Sequence, residues 1–271
     1  VLQIALPAVF TVFVWWFSTG VILYLDGLPR HTHRWTMAGT TAVCLLAMWG
    51  LSVSSAGTTV AAAYCAFTCA ILIWAWQEMA FLLGYVTGPR KEACPAGATG
   101  WLRVRYAFQA VSHHELALVI LALIVLAITW DAPNKTGLWT YLVLWTMRQS
   151  AKLNVFLGVR NLNADFLPEH LKYLQTYFMH KPMNPLWPVS VGVSTLIAVP
   201  LWQAALASGA SAFEVASLSL VAWLLSLAIL EHWLLVLPLP AEALWKWGMR
   251  SRQVSAAAVP ASAVASPPAR H

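Results

Sequence analysis

"QAVSHHELALVILALIVLAITWD", residues 109–131, is the stretch that decides how this chain is read. After His113, His114 and Glu115 the run carries no charge until Asp131. A hydrocarbon core about 30 Å thick takes roughly 20 apolar residues to cross, and this run is long enough. Three proton-binding side chains therefore open a membrane helix, inside lipid or at its edge. Charge at the centre of such a helix costs about 2.5–3.5 kcal/mol per group on insertion scales, so these groups are expected to face inward and be compensated.

The rest of the chain supports a membrane reading. Of 271 residues, 60% are hydrophobic and 10% are charged, where a soluble domain carries about 25% charge. The mean hydropathy is +0.67. The fold class expected is all-α, a polytopic membrane protein of seven spans at 3–25, 36–53, 60–86, 106–130, 138–158, 187–207 and 214–238. The first run has no basic residues ahead of it and reads as a membrane helix rather than a cleaved signal. Cys44, Cys65, Cys69 and Cys94 show neither zinc spacing nor a secreted disulfide pattern. Residues 1–250 form the expected seven-helix domain. The tail 251–271, "SRQVSAAAVPASAVASPPARH", is too rich in Ala, Pro and Ser to bury a core and is expected to be disordered.

Orientation follows from Lys and Arg, which collect in cytoplasmic loops. Of the 16 in the chain, 13 fall on one side of this topology, Lys135 alone falls on the other, and Arg148 and Lys152 lie in span five. The N-terminus is expected to be periplasmic and the C-terminus cytoplasmic. The net charge of +6 is accounted for by topology, and no nucleic-acid partner is expected. The longest cytoplasmic loop, about 159–186, spaces Leu171, Leu174 and Phe178 at helical intervals among charges. It reads as a short amphipathic helix. Asp26, in "YLDGLPR", is expected to cap or to pair with Arg30 or Arg34. Asn161 and Asn163 are placed to satisfy carbonyls beyond span five.

With this topology the buried polar groups fall at one depth. Glu78 in span three, His113, His114 and Glu115 in span four, Arg148, Lys152 and Asn154 in span five, and Glu231 and His232 in span seven all lie near the cytoplasmic leaflet. Glu78, His113, His114, Glu115, Glu231 and His232 are the ligand types of an iron or other transition-metal centre, with one metal or two. The Glu-x-x-His spacing of di-iron bundles is absent, as is the His-Glu-x-x-His zinc motif. A second reading has Arg148 and Lys152 pairing with the glutamates in a structural ion network. A third has a quinone or porphyrin held near Arg148, Lys152 and Asn154, lined by Trp74, Trp76, Trp145 and Trp233. A proton or substrate pathway is the remaining alternative.

Five segments together resemble a known family: "WWFSTGVILYLDGLPRHTHRW" (15–35), "AWQEMAFLLGYVTGPRK" (75–91), "FQAVSHHELALV" (108–119), "RQSAKLNVFLGVRNLNADFLPEHLKYLQTYF" (148–178) and "LEHWLLVLPLP" (230–240). The chain is similar, except in its tail, to the photosynthetic complex assembly protein 2 family, PuhE, of purple phototrophic bacteria. The resemblance implies a multi-pass protein of the inner, intracytoplasmic membrane, encoded among photosynthesis genes and linked to accumulation of bacteriochlorophyll-protein complexes. It brings no catalytic residues. It is compatible with a subunit partnering the di-iron enzyme of oxidative Mg-protoporphyrin monomethyl ester cyclisation. The alternative is a non-catalytic chaperone of reaction-centre and antenna subunits. Lipid contact is expected in both cases.

Overall fold

The computed structural model describes residues 2–162, 164–239 and 241–252. Among these residues there are seven long helices and no strand: α1 Leu2–Asp26, α2 His33–Ser55, α3 Val60–Leu82, α4 Gly100–Thr129, α5 Thr136–Leu157, α6 Leu186–Ala205 and α7 Ala212–Leu234. They follow the seven expected runs, though α3 ends at Leu82 rather than 86 and α4 begins at Gly100 rather than 106. Six are long and apolar enough to cross a membrane. The exception is α5, whose apolar residues are interrupted by Arg148, Gln149, Lys152 and Asn154.

Helix ends are set by local chemistry. Ser211 caps α7 in a reciprocal box, accepting from the Glu214 backbone N–H at 3.2 Å while Glu214 accepts from the Ser211 N–H at 2.8 Å. The Thr59 hydroxyl accepts from Ala62 N at the start of α3. α5 stops where Gly158 takes a φ of 117°, a conformation that L side chains rarely adopt, and donates to the Asn154 carbonyl at 2.9 Å.

The interior is built around α3 and α7. Between α2, α3, α4 and α5 lies one core of Ala47, Leu51, Ile73, Trp74, Leu118, Val125 and Tyr141. Phe67 and Ile71 of α3 pack on Leu220 and Leu224 of α7, with Phe10 and Val14 of α1 against them. Met147 of α5 meets Ala198 of α6 and Leu225 of α7. The outside is apolar as well: Leu45, Leu46 and Trp49 on α2, Leu116, Ile120 and Leu123 on α4, and Val193, Leu196 and Ile197 on α6 are all exposed. Soluble monomers do not present apolar faces of this extent, and lipid is the solvent that suits them.

Most Lys and Arg side chains gather at one end of the bundle, the basic end. There the loop after α5 carries a 3-10 helix, Glu169–Tyr177, whose Leu171, Leu174 and Tyr177 are buried against Phe81, Leu82 and Ala110. The expected amphipathic segment is therefore present, wound more tightly than an α-helix and turned onto the bundle. Phe178, expected on the same stripe, is only partly buried. Asn161 donates to the Leu234 and Leu237 carbonyls, closing the end of α7 rather than α5; Asn163 lies outside the described residues.

Asp26 corrects the local pairing expected for it. Its partner is Arg252, at 2.8 Å, and neither Arg30 nor Arg34 reaches it. Arg252 also donates to the Asp165 and Phe166 carbonyls, tying the end of α1 to the loop. Ser251 and Arg252, placed in the expected tail, are docked against α1. Residues 253–271 lie outside the described residues.

Candidate functional site

The polar groups singled out in sequence are distributed over α3, α4, α5 and α7, and α5 is their hub. Lys152 Nζ lies 2.5 Å from Glu115 Oε1, and Gln149 Nε2 donates to Glu115 Oε2 at 2.5 Å, so both carboxylate oxygens face α5 donors. A turn deeper, Arg148 Nε approaches Glu78 Oε1 at 3.3 Å and its Nη2 approaches Oε2 at 3.4 Å. Gln77 Nε2 adds a donor to Glu78 at 3.2 Å. The Ser150 hydroxyl meets His232 Nε2 at 2.8 Å. Asn154 donates to Ser190 of α6 at 3.0 Å and accepts from Asn184 at 3.1 Å. α5 thereby bonds to α3 through Arg148, to α4 through Gln149 and Lys152, to α6 through Asn154 and to α7 through Ser150.

The backbone on the α4 side is unusually close. The turn after α3 crosses α4 at Gly88, where an added Cβ would overlap the Gln109 and Ala110 backbone. Thr87 O accepts from the His114 N–H at 2.9 Å and Gln109 O from the Arg90 N–H at 3.4 Å. The His114 ring lies 4.5 Å from Phe81, and among the described residues its buried Nδ1 has no hydrogen-bond partner. Glu78, Lys152, Glu115 and Arg148 all act electrostatically on that ring.

Three expectations change. His113, about 100° around α4 from His114, is exposed and outside the layer. Glu231 is exposed too, and its Oε1 accepts from Trp15 Nε1 of α1 at 2.7 Å, although Arg148 and Glu78 remain within electrostatic range. His232 is fully engaged, since its Nδ1 meets the Ala228 carbonyl at 2.8 Å. Among the described residues, no three His, Cys, Asp or Glu side chains gather as a metal-binding group.

The four tryptophans expected to line one pocket have separate settings. Trp74 is edge-on to Tyr141 in the core, and Trp76 donates to the Thr41 hydroxyl at 2.9 Å. Trp145 borders an open cleft of about 380 Å³ between α5 and α6, and Trp233 packs on Trp187.

Gln77, Gln149, Ser150, Asn184, Ser190 and Trp15 join the layer without having been singled out. Gln149 and Ser150 lie between residues that were, which is a usable signal. Trp15 and Asn184 gave none, because their partners are remote in sequence.

Residues 1–256 match a family described as a protein of unknown function, DUF3623. The chain is 37% identical over 250 residues, 91% of each chain, to a Rhodobacter capsulatus protein described as an uncharacterized 30.4 kDa protein in the puhA 5′ region. No solved structure matches. The extent of both likenesses assigns this multi-pass helical chain to the DUF3623 family.

Proposed function

We propose that the chain is a PuhE-type accessory protein of the photosynthetic membrane, acting without chemistry of its own in the assembly of reaction-centre or antenna complexes. One observation carries the photosynthetic setting: a relative over nearly the full length is described by its place beside puhA, as the resemblance in the polar segments implies. The geometry favours a structural reading of the layer. Glu78 and Glu115 face guanidinium, ammonium and amide donors rather than imidazoles. Burying such pairs is costly, and breaking one is costlier still, which suits a device that fixes how α3, α4 and α5 dock. In this reading all seven helices span the inner membrane, the basic end is cytoplasmic, and the loop at that end offers the contact surface.

A second reading is supported by the unpartnered Nδ1 of His114 at the edge of the layer. A metal or the head of a quinone or porphyrin would find one free donor there, with Glu78 and Glu115 nearby, and the protein would then serve bacteriochlorophyll synthesis beside the oxidative cyclase.

Affinity purification from a phototrophic host, with metal analysis of the eluate, tests both. Co-purification of reaction-centre or antenna subunits with a metal-free protein is expected. Recovery of neither pigment-synthesis nor photosynthetic subunits would overturn the assignment. A stoichiometric metal lost in Glu115→Ala would replace the first reading with the second.

A further inference from the structure

At the basic end of α2 an apolar groove opens beneath a group of unpaired cations. It is lined by Arg34, Met37, Ala38, Thr41, Ala42 and Leu45 of α2, with Tyr85 beside it, and holds about 580 Å³. Ala38 and Ala42 supply the hollow. The one polar floor residue is already satisfied: Thr41 Oγ1 donates to the Met37 carbonyl at 2.7 Å and accepts from Trp76 at 2.9 Å. The occupant's body must therefore be apolar. From Arg34 to Leu45, at about 1.5 Å per residue, the groove runs roughly 16 Å, close to half of a hydrocarbon core of about 30 Å.

The mouth has the opposite character. Arg34 lies over the Trp35 ring at 5.2 Å, at the level where interfacial tryptophans anchor. Arg30 and Lys91 each act electrostatically on the imidazole of His170, in the loop at this end. Three carboxylates of this end have other partners: Glu92 pairs with Arg90, Glu169 with Lys172 and Asp26 with Arg252. Among the described residues, no carboxylate comes within ion-pair distance of Arg30, Arg34 or Lys91.

We propose that this groove binds one anionic phospholipid, its phosphate on Arg34 with Arg30 and Lys91 behind, and one acyl chain along Met37, Ala38, Thr41, Ala42 and Leu45. A length of one leaflet, an apolar wall and an uncompensated positive mouth together fit a lipid better than a second helix, which would have to bring its own carboxylate to that point.

Native mass spectrometry of the delipidated full chain, with phosphatidylglycerol or phosphatidylcholine added back, tests the site. One phosphatidylglycerol is expected to be retained in preference to phosphatidylcholine. Arg34→Ala should weaken that retention about fivefold, as expected for a single juxtamembrane cation. Arg34→Lys should keep most of it, and Arg105→Ala, an exposed cation away from the groove, should leave it unchanged. Ala42→Phe should abolish retention with every charge in place. Equal retention of both lipids, or indifference to Arg34→Ala and Ala42→Phe in variants that melt like the parent, would overturn the proposal. A dimer mass lost in Ala42→Phe would overturn it in favour of a second copy.

Discussion

The two ends of the bundle bury polar groups in different ways. At the end away from the basic loops, Asn134 donates to the Ser54 carbonyl at 3.0 Å and accepts from the Thr136 backbone and hydroxyl. Thr136 in turn meets Ser217 of α7 at 2.7 Å, and Ser211 with Glu214 closes the start of α7. None of these named bonds is an ion pair: Asn134 and Thr136 bridge helix ends through neutral groups, and Ser211 with Glu214 is a local cap that finishes α7. Toward the other end, carboxylates on α3 and α4 are paired with cations of α5 across helix boundaries. Caps satisfy a helix wherever it packs, whereas interhelical ion pairs are satisfied in only one arrangement. The contrast indicates that the ionic layer specifies how α5 docks, and the caps define where the helices stop.

The largest effect should follow from breaking the better-formed pair. Lys152→Met leaves Glu115 with the Gln149 amide alone, and a loss of about 3–5 kcal/mol is expected, read as a fall in detergent melting temperature and folded yield. Arg148→Met should cost less, because that side chain is half exposed and its contacts to Glu78 are longer. Similar losses from the two would remove the distinction between them.

Asn184→Ala sharpens the comparison from the neutral side of the same end. Asn184 donates to Asn154 and to the Gly158 carbonyl, and accepts from Leu186 N at 2.9 Å. Removing it strands buried polar groups and should cost about 1–3 kcal/mol by the same melting assay. At the opposite end Ser211→Ala removes only a cap, and about 1 kcal/mol is expected.

The smallest effect is a pH dependence. Burial, reinforced by the nearby Arg30 charge, holds the His170 imidazole below its ordinary value near 6.5. The unfolded chain then binds the proton more readily, so stability is retained above about pH 6.5. It declines as pH falls below that, until His170 is itself protonated. His170→Gln should flatten this limb of a melting-temperature profile taken between pH 7.5 and 5; an unchanged slope would show that the burial has no such consequence.

Much of this was legible in the sequence, for reasons that can be named. Helices of 20 to 30 residues leave long apolar runs, and the polar members of α3, α4 and α5 stand out because lipid tolerates so few. The capping box of α7 lies within four residues. What could not be read is pairing across the chain. Arg252 reaches Asp26 and Trp15 reaches Glu231 only because the segment after α7 and α1 itself pack where they do. The crossing of α4 at Gly88 leaves only a glycine as its mark. Glu231 shows the limit well: depth along α7 was readable, but the side of the helix it faces was set by packing.

Exchange of charges tests most directly whether α5 is held by its ion pairs. Glu115→Lys and Lys152→Glu, made singly, should each lose most of the folded protein, because two like charges then meet within the layer. The double exchange should recover a large part of it in the same fluorescence-detected chromatography assay. Single exchanges as stable as the parent, or a double exchange no better than the worse single, would contradict the account.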